Sequence, residues 1–238
     1  METLRIDKFI SVAAAVSRTD AKQLLKSGAE TINGITVKKA DTKVSEQDAV
    51  FCGGKQLVYK RFVYLILNKP KGVLSASTDK RVKTVVDLVP DEFKHYELFP
   101  VGRLDKDTTG LLLITNDGDF AHKIISPKSG TDKRYFAQLD GSVTDEHISR
   151  FNEGITLADG TECLPAKLER AGDTSAYVTV QEGKYHQIKR MFGVVGLGVN
   201  ELERLSIGGL KLPSDIERGE CRELKTEEFE ILREIVNK

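Results

Sequence analysis

The sequence is poor in cysteine, with only Cys52, Cys163 and Cys221 in 238 residues. Odd in number, scattered and without a Cys-x-x-Cys spacing, they argue against a disulfide framework or a cysteine zinc site. They fit a reducing compartment, so a cytoplasmic location is expected. Net charge is lacking too: 36 Lys and Arg cancel 36 Asp and Glu, and overall charge announces no partner. No apolar run approaches the ~20 residues of a membrane span. Phe9 to Val16, after Lys8, could be misread as an export signal; Asp7 precedes it, a capped helix follows, and helix is the expectation. There is no internal repeat and no low-complexity tract. A phosphate-binding loop is absent as well. Around Gly53-Gly54-Lys55, Ala49 stands where the first glycine belongs and Gln56 where Ser or Thr must reach magnesium.

What is present is an ordinary globular composition, 39% hydrophobic and 30% charged, long enough for a small and a medium domain. Residues 1–60 hold ten Lys and Arg against seven Asp and Glu, a modest basic excess that permits nucleic-acid binding. Ile6, Phe9, Ile10 and Ala13 form a helical stripe. Ser17-Arg-Thr-Asp20 matches a capping box for a second helix, with Gly28 as its stop. Asn33-Gly34 between β-branched residues signals a tight hairpin, and residues 48–52 another strand. Residues 53–61 read as a linker.

Beyond it, Phe62 to Leu67 reads as a buried strand, followed by a turn with Lys69 and Lys71 exposed, and residues 82–89 as a short helix before Pro90. Leu111 to Thr115 is an apolar run between Gly110 and Asn116-Asp117-Gly118, a buried strand between turns. A helix to Ile125, a strand at 133–139, a helix at 145–152, strands near 166–170 and 176–181, a helical stripe at 185–195, strands at 201–207 and 219–224 and a final helix follow. Strands with irregularly placed helices predict an α+β protein. The expected architecture is a small helix-pair and hairpin domain at 1–60, then a larger, mixed but mostly antiparallel sheet with flanking helices at 61–238.

The loop Gly102-Arg103-Leu104-Asp105 leads into the Leu111 strand and places an arginine and a carboxylate on a rigid support. A calcium loop starting at Asp105 fails, because Asn116 holds the position of the bidentate Glu and Leu111 to Ile114 fill the ligand end. An aspartyl-phosphate nucleophile fits poorly, because Asp107 breaks its spacing and the strand follows the loop. For an isolated pair, a structural salt bridge between Arg103 and Asp105 would be the plain reading.

Two resemblances change that weighting. Leu4-Arg5-Ile6-Asp7-Lys8-Phe9, Ser17-Arg18, Ala21 and Gly28…Ile32-Asn33-Gly34 resemble the S4 RNA-binding module. That likeness implies that Arg5, Lys8, Ser17, Arg18 and Lys22 face phosphates. Gly102 to Asp105 with Thr108-Thr109-Gly110, Lys133-x-Tyr135, and Glu182-Gly-Lys-Tyr-His-Gln-Ile-Lys-Arg-Met-Phe192 resemble the RsuA/RluB/RluE/RluF group of ribosomal RNA pseudouridine synthases. The likeness runs from Leu67 to Leu224. Asp105-x-Asp107, Ile125-Ser-Pro127 and Arg204-x-x-Ile-Gly-Gly209 lean towards the small-subunit (16S) branch; the alternatives are the same reaction on large-subunit (23S) RNA, or a non-catalytic S4-containing RNA-binding or ribosome-associated protein that kept the fold.

The resemblance implies a catalytic Asp105, a cationic partner for it in Lys189, and Tyr135 lying against the target base. It also implies Arg103 holding RNA and a cofactor-free, metal-free isomerisation of a uridine. Asp105 would have to work as an anion, which a nearby cation favours. His186, Lys189 and Arg190 fall at i, i+3, i+4, so one helix face could present all three. His186 is read as a structural or surface histidine and Arg190 as an RNA contact. Lys69 and Lys71, with Lys80, Arg81 and Lys83, could track an RNA backbone. Flipping is easiest for an unpaired base, so the expected partner is a looped or incompletely folded ribosomal RNA, bound by a monomer.

Overall fold

The structure, a computed structural model, describes residues 3–45 and 47–237. The chain forms two compact units: residues 3–63 with 91–97, and residues 64–90 with 98–237.

The first unit runs β1 (Leu4–Arg5), α1 (Ile6–Ala13), α2 (Arg18–Ser27), β2 (Glu30–Ile32), β3 (Ile35–Thr36), β4 (Lys43–Val44), β5 (Val50–Cys52) and β6 (Lys55–Leu57). β1 pairs with β4, and the other strands form a sheet in the order β3-β2-β5-β6. The stripe on α1 buries Ile6, Phe9 and Ile10 against Ala21 and Leu25 of α2. Ser17 caps α2: its hydroxyl accepts from the Asp20 amide at 3.1 Å and donates to the Asp20 carboxylate at 2.6 Å. Gly28 ends the helix at φ 77°, a left-handed stop that glycine adopts without steric cost. Asn33 and Gly34, at φ 51° and 82°, make the turn between β2 and β3.

Residues 53–61 are not a plain linker. Gly53 and Gly54, both at positive φ, form a second tight turn that folds Lys55–Leu57 back onto β5. Leu57 is buried there, and Tyr59 stacks on Phe9 with ring centroids 5.1 Å apart.

The second unit runs β7 (Tyr64–Lys69), β8 (Phe99–Val101), β9 (Thr109–Thr115), α3 (Gly118–Ile125), β10 (Lys133–Leu139), α4 (Asp145–Glu153), β11 (Lys167–Gly172), β12 (Ser175–Val180), α5 (Gln187–Val194), β13 (Val199–Ile207), β14 (Leu210–Lys211), β15 (Cys221–Glu223) and α6 (Thr226–Val236). The sheet order is β11-β12-β10-β13-β9-β7-β15, with β14 on β13 and β8 on β9. Its pairings are antiparallel except β9 with β13. All seven residues of β9 are buried, as a strand covered on both faces requires. Leu111 and Leu113 pack with Phe120 and Ile124 of α3 and Leu232 of α6. Asp117 fixes the start of α3, accepting from the Phe120 amide at 3.0 Å and the Tyr64 hydroxyl at 2.7 Å.

Residues 82–89 are not a helix apart from a 3-10 turn at Val86–Leu88. Thr84 bridges Leu74 as a short parallel pair, and Leu74 exchanges backbone hydrogen bonds with Lys83 and Val85. The β-branched Val82, Val85, Val86 and Val89 favour such extended backbone over helix.

Candidate active site

The loop between β8 and β9 is held from beneath by a lysine. Strand β7 continues to Lys69, which is fully buried. Its ammonium donates to the carbonyls of Asp105 at 3.1 Å, Lys106 at 3.3 Å, Thr108 at 3.0 Å and Pro70 at 3.1 Å. The expectation that Lys69 tracks an RNA backbone is therefore corrected: its charge is spent on the inside of the loop. Burial pushes it down to about 8, while the charges of Asp107 and Asp105 act to keep it protonated. Ser75 adds a second tie, accepting from the Leu104 amide at 3.0 Å and donating to the Leu104 carbonyl at 2.8 Å.

Held this way, the Asp105 carboxylate meets residues from the start of α5. Lys189 Nζ lies 3.7 Å from one oxygen and His186 Nε2 3.5 Å from the other. Ile188, Met191 and Phe192 bury the opposite face of α5, which leaves Lys189 to point at the loop. Lys189 is shared, since it also donates to Asp107 at 2.5 Å. That hydrogen bond holds the Asp107 carboxyl below the usual carboxylate range. Arg103 is exposed, so the two partners of Asp105 come from α5 and not from its own loop.

The register of the sheet sets Tyr135 level with this loop's base, two strands away. Tyr135 pairs with Arg204, Arg204 with Gly110, and Gly110 with Lys69, a row across four neighbouring strands. Gly110 sits at φ 98°, where an added Cβ would lie 2.3 Å from the Arg204 carbonyl oxygen; only glycine admits so close a crossing. Tyr135 is 8% exposed, and Arg204 is 3% exposed with its Nε donating to the Leu111 carbonyl at 2.7 Å. Lys133, two residues before Tyr135, is also buried. Burial and then the charge of Arg204 push it down to about 8. Arg204 also lowers Lys69, so Arg204 acts on both buried lysines, of which Lys69 is the one beneath the acidic loop. Positive charge beneath the loop favours the approach of a polyanion.

The Asp105 carboxylate thus stands between an ammonium and an imidazole, on a loop with the buried Lys69 beneath it. Among the described residues no group of His, Cys, Asp and Glu is placed to hold a metal ion. Residues 63–193, more than half of the chain, match the family described as RNA pseudouridylate synthase, and residues 4–50 match the S4 domain. The chain belongs to the RNA pseudouridylate synthase family. It is 42% identical to the RNA pseudouridine synthase YtzG of Bacillus subtilis, covering 97% of this chain and 99% of that one. It is 39% identical to ribosomal small subunit pseudouridine synthase A of Vibrio cholerae, over 94% of this chain and 97% of that one. A crystal structure of a pseudouridylate synthase superposes with a TM-score of 0.68 at 36% identity, covering 96% of this chain and 99% of that one.

The other expected contact residues of this pseudouridine synthase fall in varied settings. In the S4 domain Lys8, Ser17 and Lys22 are exposed. Arg5 and Arg18 both pair with the buried Asp7, at 3.0 Å and 3.2 Å, and remain partly exposed. In the second unit, Lys71 pairs with Glu201 at 2.7 Å and Arg190 with Asp159 at 2.6 Å. Lys80, Arg81 and Lys83 are exposed. No helix among the described residues is long and apolar enough to cross a membrane. Sequence reasoning missed three residues of the site: the buried role of Lys69, the claim of Asp107 on Lys189, and His186 against Asp105. The spacing Asp105-x-Asp107 was the available signal for the second.

Proposed function

We propose that this chain converts a uridine of 16S ribosomal RNA to pseudouridine in the cytoplasm, as a monomer and without cofactor or metal, with Asp105 as the group that acts on the ribose. The observation that carries the role of Asp105 is its place between Lys189 and His186 on a loop pinned by Lys69. The 16S target is supported by the small-subunit pseudouridine synthases that the chain matches nearly end to end, among them the Escherichia coli protein at 38% identity. Residues 1–60 serve as the RNA-binding module and 61–238 as the catalytic one.

The reaction breaks the bond from ribose C1′ to uracil N1, turns the base, and forms a bond from C1′ to C5; the C5 proton leaves and N1 gains one. Nothing is oxidised and no group is lost. A carboxylate at C1′ can attack the sugar or draw off the proton that leads to a glycal, and both routes need the anion. Lys189, 3.7 Å away, stabilises that anion, and His186 lies within 3.5 Å of its other oxygen. Tyr135 lies against the flipped base and takes the C5 proton at the end. Arg103, Lys71 and Arg190 hold the RNA strand, Arg190 by leaving Asp159 for a phosphate.

Two experiments test this. Pseudouridines are mapped in ribosomal RNA from cells with and without the protein; one missing modification in 16S RNA is expected, and a loss confined to 23S RNA overturns the target. Asp105→Asn should bind ribosomal RNA as the wild type does and release no tritium from C5-tritiated uridine. Wild-type turnover by that variant would remove Asp105 from the mechanism.

A further inference from the structure

Tyr185 is conspicuous for its exposure: 73% of it is open to solvent, although Glu182 on the same loop and Gln187 at the start of α5 are buried. Its ring lies on the imidazole of His186, with centroids 3.9 Å apart and planes 17° from parallel. His186 in turn reaches Asp105 at 3.5 Å. A stack of two rings therefore leads outward from the proposed reacting carboxylate. His186 stands at φ 49°, ψ 31°, a left-handed conformation uncommon for a residue with a Cβ, and its surroundings hold it there.

Those surroundings make the loop rigid. Glu182 accepts from the Leu164 amide at 2.9 Å and from Gln187 Nε2 at 2.8 Å, and it pairs with Lys184. The Lys184 amide donates to Gln187 Oε1 at 3.0 Å, and its ammonium to the Glu162 carbonyl at 2.8 Å. Arg190 reaches the Tyr185 carbonyl at 3.4 Å while paired with Asp159. The exposed ring is thus carried on a fixed backbone, and ordering it on binding loses little entropy. It supports no core: its aromatic partner among the described residues is His186, which covers one face.

We propose that Tyr185 is a stacking platform for a nucleobase neighbouring the reacting uridine, with His186 as the second layer of the stack. This rests on the reading of Asp105 as the reacting group. When a uridine leaves its strand, the adjacent base loses a stacking neighbour, and a flat ring beside the exit point can replace it. Stacking accepts the face of any base, so Tyr185 contributes to capture and register and does no chemistry on the uridine.

The test uses full-length protein and C5-tritiated ribosomal RNA from cells lacking it. Tyr185→Ala should raise KM about tenfold or more, with kcat within about threefold of wild type. Tyr185→Phe and Tyr185→Trp should restore KM, and Tyr185→Leu should resemble Tyr185→Ala; thermal melting of all four should match wild type. The Kd for the same RNA, measured for Tyr185→Ala in the Asp105→Asn background, should rise in parallel. An unchanged KM and Kd in Tyr185→Ala, a loss confined to kcat, or Tyr185→Leu performing as well as Tyr185→Trp overturns the platform. Turnover by Asp105→Asn alone would overturn the role of Asp105, and the Kd comparison still reads Tyr185 by itself.

Discussion

The Lys189 ammonium stands 3.7 Å from the Asp105 carboxylate, on a helix far along the chain from the loop it serves. The same ammonium is closer to Asp107, at 2.5 Å. Asp107 is 69% exposed, so water screens part of that pairing, whereas Asp105 is the less exposed of the two. Lys189→Met should therefore cut kcat by about a hundredfold, the scale of losing one preorganised charge partner, with RNA binding changed far less. Asp107→Asn should change kcat by less than about tenfold. Single-turnover tritium release checks both, and a larger effect from Asp107→Asn would reverse the ranking of the two carboxylates.

Removing the loop's internal support should be costlier than its exposure suggests. Lys69→Met keeps the bulk but strands the carbonyls of Asp105, Lys106 and Thr108. Each stranded buried acceptor costs about 1–3 kcal/mol unless water reaches it. Chemical denaturation should show the second unit weakened by a few such steps, and kcat should fall with it. Unchanged stability would mean that the loop is held without the lysine.

The first unit carries a pH dependence of known sign. Burial pushes the Asp7 carboxyl up, and hydrogen bonds from Arg5 and Arg18 more than offset this, holding it below 3.8. A folded value under the unfolded one contributes stability that is complete above the unfolded value and is lost as pH falls through the folded one. At neutral pH Asp7→Asn should destabilise this unit by about 1–3 kcal/mol. The gap between variant and wild type should close as pH drops below 3.8. A gap independent of pH would show that Asp7 contributes packing and not charge.

Lys8 and Lys22 are exposed on the S4 domain. If both neutralise phosphates, the double variant Lys8→Gln, Lys22→Gln should weaken ribosomal RNA binding and flatten its salt dependence by about 0.7–0.9 per lysine in the log–log slope. Filter binding across a salt series reads this directly. A weaker affinity with an unchanged slope would remove them from the phosphate contacts.

Most elements were legible because local signals and tertiary packing agree. Ser17, Gly28 and the Asn33-Gly34 turn each impose a backbone geometry whatever surrounds them, and Lys133–Leu139 alternates over the whole observed strand. The failures lie where long-range partners decide. Residues 82–89 carry valines at a spacing that suits a helix, but Leu74 offers backbone partners that periodicity cannot reveal. Gly53-Gly54 looks like a flexible joint until β5 supplies a strand for Lys55–Leu57 to pair with. Lys69 shows the same limit at the site: a lysine beside a turn reads as surface, and only the carbonyls converging on its ammonium explain why it is inside. The Asp105, Tyr135 and Lys189 positions were named through family likeness; composition and spacing alone left a salt bridge as the plain reading of Asp105.

The parallel pairing of β9 with β13 has a consequence for how the protein comes into being on the ribosome. Strand β9 ends at Thr115, but its parallel neighbour does not begin until Val199, so a nascent chain must wait for everything between before its sheet can close. Long-range pairing of this kind forms late. Gly110 cannot meet Arg204, nor Asp105 meet Lys189, in a polypeptide cut short before that point. A truncated translation product could carry a complete S4 domain, but its uridine-modifying centre would remain unassembled.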